Sequence, residues 1–130
     1  MAIRFTERSL TVSGVATTAS TNILAGPLDI SSYDKFAVFV HNLESAVDLH
    51  FLQMQVSYFT ASNVGATAAP NWFSLDTAVA GLPSSIAGSA GDMTTPIANA
   101  YRYMRIIGGV SQTGGTSVNV GITIGGFTRD

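Results

Sequence analysis

The stretch Ser117-Val118-Asn119-Val120-Gly121-Ile122-Thr123-Ile124 decides the fold, because apolar and small or polar residues alternate in it without a break. One face of the stretch holds only β-branched apolar residues: Val118, Val120, Ile122 and Ile124. Successive side chains of an extended chain point to opposite sides, so one face can be buried while the other stays exposed. The stretch therefore predicts a half-buried β-strand.

Residues 101–107 predict a second strand of a different kind. Bulky side chains occupy both of its faces, which is typical of a central strand that is covered on both sides. Residues 111–116 lie between the two strands and contain Gly114-Gly115, which can supply the positive φ angles of a tight turn. We therefore expect residues 101–124 to form a C-terminal hairpin.

A phase slip marks the strand predicted over residues 46–58. Its apolar residues are odd-numbered as far as Phe51 and even-numbered from Leu52 onward. A strand with a strict period of two cannot bury both sets, so we expect a β-bulge near these two residues. Residues 35–42 also alternate, and we expect them to pair with 46–58 in a hairpin around Leu43–Glu44.

The remaining segments carry weaker signals. Residues 3–15 hold one or two strands, and residues 16–27 are small and polar, as in a loop or a loosely paired edge. Segments rich in Ala, Gly, Ser, Thr and Pro at 59–71 and 77–96 enclose a short strand at Trp72–Leu75. Loops of this length favour arms that become ordered on assembly.

Helix signals are missing, because Gly, Ser, Thr and Val are dense and long Glu-, Lys- and Leu-rich stretches do not occur. The sequence predicts a single all-β domain over residues 1–130. Short strands with turn signals between them favour an antiparallel two-layer β-sandwich, and a jelly roll is one form of it. The N-terminal segment 1–27 is a candidate for an extended arm of this domain.

The charge content of the chain is low. Charged residues make up 11% of the 130 residues, whereas about 25% is average, and the hydrophobic share is an ordinary 46%. Because obligate interfaces are depleted in charge, this composition favours a homo-oligomer. The net charge of −2 lacks the basic footprint of nucleic-acid binding, so we expect no nucleic-acid partner.

Neither a membrane nor a targeting segment is expected. No apolar run approaches the ~18 residues of a membrane span. Residues 1–10 carry Arg4, Glu7 and Arg8 and lack the apolar centre of a signal peptide, so we expect synthesis in a cytoplasm. The chain contains no cysteine, which excludes disulfides and thiolate metal sites.

Catalytic signatures do not occur in the sequence. The glycine-rich nucleotide motifs and the GxSxG nucleophile elbow are both missing, and Lys35 is the only lysine. The eight acidic residues are scattered along the chain. The sequence therefore predicts a protein that is not an enzyme and that needs no cofactor.

One set of side chains could ligate a metal ion. In the predicted hairpin, His41 and His50 would lie close together across the strands, and Asp48 lies on the same face as His50. Imidazole and carboxylate groups suit several divalent metals. The alternative is a polar or interface patch in which Asp48 accepts a hydrogen bond from a histidine.

Three large polar or aromatic residues are candidates for anchors or interfaces. Trp72 is the only tryptophan, and it serves either as an exposed platform for a sugar or as an anchor in a core or interface. The apolar segment around it favours the anchor. Arg102 and Arg105 lie on opposite faces of the predicted central strand, where buried guanidinium groups need partners within the sandwich or across a subunit contact.

Three stretches together resemble the small β-sandwich structural proteins of tailed bacteriophages. They are the strand entry Leu28-Asp29-Ile30-Ser31-Ser32-Tyr33 with the apolar strand that follows it, the segment Asn71–Leu75, and the run Ala100–Ile107 with Val118–Ile124 after it. The resemblance is one of composition and strand order and supplies no site residue.

The resemblance implies a virion structural protein, and in particular a capsid decoration or cement protein that stabilises the shell by protein–protein contacts. It also implies a homotrimer, a major capsid protein or other virion protein as partner, and a place in the virion after synthesis in the host cytoplasm. A phage tail accessory protein and a sugar-binding adhesion module are the alternatives.

Overall fold

The computed structural model describes residues 3–57, 72–75, 81–99, 101–112 and 115–129. These residues form nine strands: β1 (Ile3–Ala16), β2 (Asn22–Asp29), β3 (Tyr33–Asn42), β4 (Leu49–Ser57), β5 (Phe73–Leu75), β6 (Gly91–Met93), β7 (Ile97–Ala98), β8 (Tyr103–Val110) and β9 (Thr116–Arg129). None of the described residues is helical, which confirms the prediction of an all-β chain. Within those ranges no helix is long and apolar enough to cross a membrane.

The strands form two antiparallel sheets around one hydrophobic core, so the predicted two-layer sandwich is confirmed. Sheet A has the order β1-β9-β3-β6, and the short strand β7 also pairs with β3. Sheet B has the order β2-β8-β4-β5. Except from β4 to β5 and from β6 to β7, each strand is followed in sequence by a strand of the other sheet.

The two strands with the clearest sequence patterns occupy the centres of the two sheets. β9 lies between β1 and β3 and turns its β-branched face into the core, where Val118, Val120, Ile122 and Ile124 are buried. β8 lies between β2 and β4 and is buried on both faces from Met104 to Val110. Both placements agree with the alternation of the sequence.

Both predicted hairpins are wrong. β8 belongs to sheet B and β9 to sheet A, so the chain crosses between the sheets at the predicted turn. The connection from β3 to β4 crosses in the same way. A period of two identifies which face of a strand is buried, but it holds no information about which strand lies alongside. Proximity in sequence was therefore a poor guide to pairing in this chain.

The two crossing connections are tied together by hydrogen bonds. The buried side chain of Asn42 donates to the Val47 carbonyl oxygen at 2.7 Å and accepts from the Glu44 amide at 3.0 Å. The Asp48 amide donates to Ser111 Oγ at 2.9 Å, and the Ser111 amide donates to the Asp48 carbonyl oxygen at 3.1 Å. These bonds satisfy backbone groups that leave the sheets at this end of the sandwich.

The predicted bulge is confirmed. The pairing of β4 with β8 shifts in register between His50 and Gln53, and Phe51 has a φ angle of 53°. The extra residue lets Leu49 and Leu52 both reach the core despite their opposite parity. The ring of Phe51 is turned outward and is 61% exposed.

The N-terminal segments are paired within the chain. β1 pairs with β9 along its whole length, and β2 pairs with β8 at the edge of sheet B with two shifts in register. The second finding agrees with a loosely paired edge at residues 16–27. A role of residues 1–27 as an arm toward another molecule stays a prediction. The predicted loop 59–71 lies outside the described residues.

A first prediction concerns the close approach of β9 to β3. A Cβ atom at Gly126 would lie 2.8 Å from the Cα of Phe36 and would clash with the Lys35 carbonyl oxygen. Because these are backbone atoms, the strands would have to separate, and we expect Gly126→Ala to lower the free energy of unfolding by about 1–3 kcal/mol. Urea denaturation measures this change.

The matched control is Gly14→Ala in β1, where no atom lies within 4 Å of the added Cβ. We expect its effect to stay within about 0.5 kcal/mol. Equal effects of the two substitutions would contradict the close packing of β9 on β3.

A second prediction concerns the left-handed backbone of Phe51, which costs a residue with a Cβ about 1–2 kcal/mol. Asn tolerates this conformation better than most residues, whereas a β-branched residue tolerates it poorly. We expect Phe51→Asn to leave the free energy of unfolding unchanged or raise it by up to about 1 kcal/mol, and Phe51→Val to lower it by about 1 kcal/mol. A clear loss of stability in Phe51→Asn would show that the ring supports the fold.

Candidate functional site

The three candidate metal ligands do not come together. His41 lies on β3 in sheet A, where its Nε2 is 3.4 Å from the Ser89 carbonyl oxygen, whereas His50 lies on β4 in sheet B. Asp48 Oδ1 accepts a hydrogen bond from the Gly88 amide at 3.0 Å. The predicted proximity depended on the hairpin of β3 with β4, which does not form. Across the described ranges, no group of three or more His, Asp or Glu side chains could hold a metal ion.

Trp72 and Arg105 form one buried unit on the outer face of sheet B. Trp72 is 6% exposed and Arg105 is 5% exposed, and the guanidinium carbon lies 4.4 Å from the centroid of the Trp72 ring. Arg105 Nε donates to Gln55 Oε1 at 2.7 Å. Burial lowers the pKa of Arg105 because it disfavours the charged form. The stacked ring and the hydrogen bond offset part of that cost.

Hydrogen bonds extend from this unit across three strands. Gln55 Nε2 donates to Ser74 Oγ at 3.1 Å, and Ser74 Oγ donates to Gln53 Oε1 at 3.2 Å. These side chains link β8, β4 and the short edge strand β5 on the face that is turned away from the core. The unit of Trp72 and Arg105 therefore holds the outer side of sheet B together.

Arg102 has a different environment from Arg105. It precedes β8 and is exposed, and its guanidinium carbon lies 5.9 Å from the centroid of the Tyr103 ring. Its backbone amide donates to the Ser57 carbonyl oxygen, and its carbonyl oxygen accepts from the Ile30 amide, each at 2.9 Å. Of the two arginines that the sequence singled out, only Arg105 is buried.

The outer face of sheet A carries an apolar surface that the sequence analysis missed. We call it the aromatic face, and it is defined by Phe5 of β1, Phe39 of β3, Met93 of β6 and Phe127 of β9. Each of the four strands contributes one large side chain, and each side chain is between 39% and 61% exposed. Large exposed apolar patches of this kind mark interaction sites.

Two glycines on the central strand of sheet A shape the aromatic face. Gly121 and Gly125 sit at outward positions of β9, and a Cβ at Gly125 would lie 3.2 Å from Cζ of Phe5. The rings of Phe5 and Phe127 meet edge to face, with their centroids 5.8 Å apart. A shallow cavity of about 260 Å³ lies between Phe5, Phe39 and the strands beneath. The aromatic face is therefore a shallow depression surrounded by aromatic rings.

A sequence signal for the aromatic face exists, but it is incomplete. Phe5, Phe39 and Phe127 each lie on the outward side of an alternating strand, where polar residues are usual because that side faces water. They are far apart in sequence, and only the pairing of β9 with both β1 and β3 brings them together. Without the strand order, these phenylalanines are three isolated exposed residues, and isolated exposed apolar residues are common on any protein surface.

A second concave feature lies on the outer side of sheet B, beside the bulge in β4. We call it the bulge cleft, and its volume is about 580 Å³. Its polar lining residues are Gln53, Ser20, Thr21, Ser74 and Ser84. Its apolar lining residues are Phe51, Leu52, Met54, Leu75, Leu82 and Ile107.

Solved structures resemble this chain only distantly. No protein-family model and no curated protein matches it. A chain of the Bacillus endospore appendages, which are disulfide-linked pili, is 10% identical with a TM-score of 0.44 over 99% of this chain and 93% of that one. PirA is 14% identical with a TM-score of 0.40 over 89% and 90% of the two chains. A chain of the cyanophage Pam1 capsid is 15% identical with a TM-score of 0.36 over 95% and 84%. Similarities this low carry no argument about function.

A third prediction tests the buried unit of Trp72 and Arg105. Lys lacks the planar fork that stacks on an indole ring, so we expect Arg105→Lys to lower the free energy of unfolding by about 1–3 kcal/mol. The matched control is Arg102→Lys, which changes an exposed arginine and should cost less than about 0.5 kcal/mol. Thermal and urea denaturation compare the two variants. Equal losses would contradict the structural role of Arg105.

Proposed function

We propose that this chain is a structural protein of a virion, in particular a decoration protein that coats and stabilises a capsid shell. The observation that carries the proposal is the aromatic face, where four large apolar side chains from four strands are open to solvent in the single chain. In the proposal, this face is the surface through which copies of the chain associate. Catalysis and cofactors have no part in it.

The physical argument is one of surface free energy. Burying apolar surface stabilises an association by about 25 cal/mol per Å², and aromatic side chains and Met are enriched in the buried parts of interfaces. A chain with 11% charged residues has few groups that keep such a face in water. Covering the aromatic face with protein removes this unfavourable exposure, whereas a free monomer would retain it.

Self-association is the version that the charges on this face favour. Among the described residues, one acidic residue, Glu7, and one basic residue, Lys35, line the depressions around the aromatic face. Two copies that pack through this face can bring the acid of one toward the base of the other. We propose a homotrimer that binds the major capsid protein or another virion protein, after synthesis in the host cytoplasm. The alternation of consecutive strands between the sheets supports a jelly roll as the form of the sandwich.

The alternatives differ in their partner or in their ligand. A phage tail accessory protein would use the same aromatic face on another part of the particle. A sugar-binding module that grips its ligand with Trp72 requires an exposed ring, and Trp72 is buried beside Arg105. Trp72 therefore acts as an anchor within the chain in our proposal.

A fourth prediction tests the aromatic face as an association surface. We expect light scattering at tens of micromolar to give an oligomer, with about three times the 13.5 kDa chain mass for the proposed trimer. The double variant Phe39→Ser with Phe127→Ser should shift the mass to that of the monomer, because it removes two of the exposed rings. The matched control Phe51→Asn changes an exposed phenylalanine of sheet B and should leave the oligomer intact.

A measured mass equal to that of one chain at these concentrations would contradict a preformed oligomer. An oligomer that survives the double variant would show that another surface holds the copies together. Mass spectrometry of purified particles tests the virion part of the proposal independently, because a decoration protein must be present in many copies per particle.

A further inference from the structure

We infer that the bulge cleft is a binding site for a neutral oligosaccharide, with the ring of Phe51 as the platform on which a sugar ring packs. The cleft lies on sheet B, whereas the aromatic face lies on sheet A. The inference therefore goes beyond assembly and does not depend on it.

Phe51 is a costly choice for its position. The bulge is needed because it brings both Leu49 and Leu52 into the core, but the residue at its left-handed position need not be large. Gly, Asn or Asp would adopt a φ of 53° with less strain. A phenylalanine here carries backbone strain and also leaves 61% of its surface in water. Strain of this kind that the fold does not require is concentrated at functional sites.

The cleft has the size and the chemistry of a ligand site. Its volume of about 580 Å³ lies within the range of ~300–1,000 Å³ that is usual for ligand pockets. The polar residues Ser20, Thr21, Gln53, Ser74 and Ser84 line it, and none of its described lining residues is ionisable. A charged ligand would find no opposite charge among these described residues.

A polyol with an apolar C–H side matches this mixed polar and apolar lining better than a charged ligand does. Hydroxyl and amide groups both donate and accept hydrogen bonds, as sugar hydroxyls do. The C–H side of a pyranose ring is apolar and packs on an aromatic ring, which Phe51 presents at the rim. The apolar residues Leu82 and Ile107 restrict the polar contacts to a few defined positions, which gives specificity.

Gln53 is held in an orientation that suits this role. Its Oε1 accepts the hydrogen bond from Ser74 Oγ at 3.2 Å, and Ser74 Oγ itself accepts a hydrogen bond from Gln55, which lies on β4 with Gln53. Within the described residues, Nε2 of Gln53 donates no hydrogen bond. The hydrogen-bonded row that begins at Arg105 therefore ends in an amide donor at the cleft, fixed before any ligand arrives.

The fifth prediction is tested by titrating the full chain with three neutral probes, maltohexaose, cellohexaose and the hexamer of β-1,4-linked N-acetylglucosamine. An oligogalacturonate of the same length is the anionic counterpart, and a neutral Gly-Ser peptide is the peptide counterpart. We expect saturable binding of at least one neutral hexamer, measured by calorimetry or by amide chemical shifts at the cleft. We expect the oligogalacturonate and the Gly-Ser peptide to bind more weakly.

Two substitutions at the cleft give the decisive comparison. We expect Phe51→Asn to weaken binding at least tenfold while the variant stays as stable as the parent chain, because the strained ring is replaced by a residue that suits the backbone. Gln53→Ala should weaken binding at least threefold. The matched control Phe127→Ser changes an exposed ring on the aromatic face and should leave the affinity unchanged, even where it alters the oligomer.

Three results would overturn the inference. The first is no saturable binding of any neutral hexamer, and the second is binding that survives both cleft substitutions. The third is preferential binding of the oligogalacturonate or of the peptide, which would assign the cleft to an anion or to a protein segment. None of these results bears on the oligomeric state, so the failure of this inference and of the assembly proposal can be told apart.

Discussion

Burial of the β-branched inner face of β9 is the constraint on which the rest of the molecule depends. Val118, Val120, Ile122 and Ile124 can leave water only if a second layer covers their side of sheet A, and sheet B supplies that layer. The strand supplies pairing edges to β1 on one side and β3 on the other. The other side chains of β9 then point to the outer face of sheet A, where Gly121 and Gly125 leave the shallow depression of the aromatic face.

Sheet B must stabilise a buried charge, because its central strand is apolar on the inner face and carries a buried arginine on the outer face. Arg105 is stabilised by the indole of Trp72 and by Gln55, and the hydrogen bonds of Gln55 extend to the edge strand β5. A charge that is placed in this way organises its neighbours, since each must satisfy the next. The same row of side chains ends at the bulge cleft, so the features that stabilise sheet B also orient the residues of the candidate ligand site.

The two candidate surfaces share one physical character. Each exposes phenylalanine side chains to solvent. On sheet A the residues are Phe5, Phe39 and Phe127, and on sheet B the residue is Phe51. Exposed aromatic surface is unfavourable in water, and both proposals rest on such surface at a concave place. The surfaces lie on different sheets, and a protein can use both at once.

The sequence by itself determined the class of the fold and the faces of its strands. Alternation with a period of two predicted β9, the two-sided burial of β8 and the bulge at Phe51–Leu52, because burial acts on every second side chain whatever the neighbouring strand is. The sequence did not determine which strands pair, because strand pairing depends on connections that cross between the sheets. Only the tertiary structure decided that β8 does not pair with β9, that His41 and His50 lie on different sheets, and that Phe5 meets Phe127. Surfaces assembled from distant strands follow from strand order, and strand order is set by the packing of the whole core, which no local pattern contains.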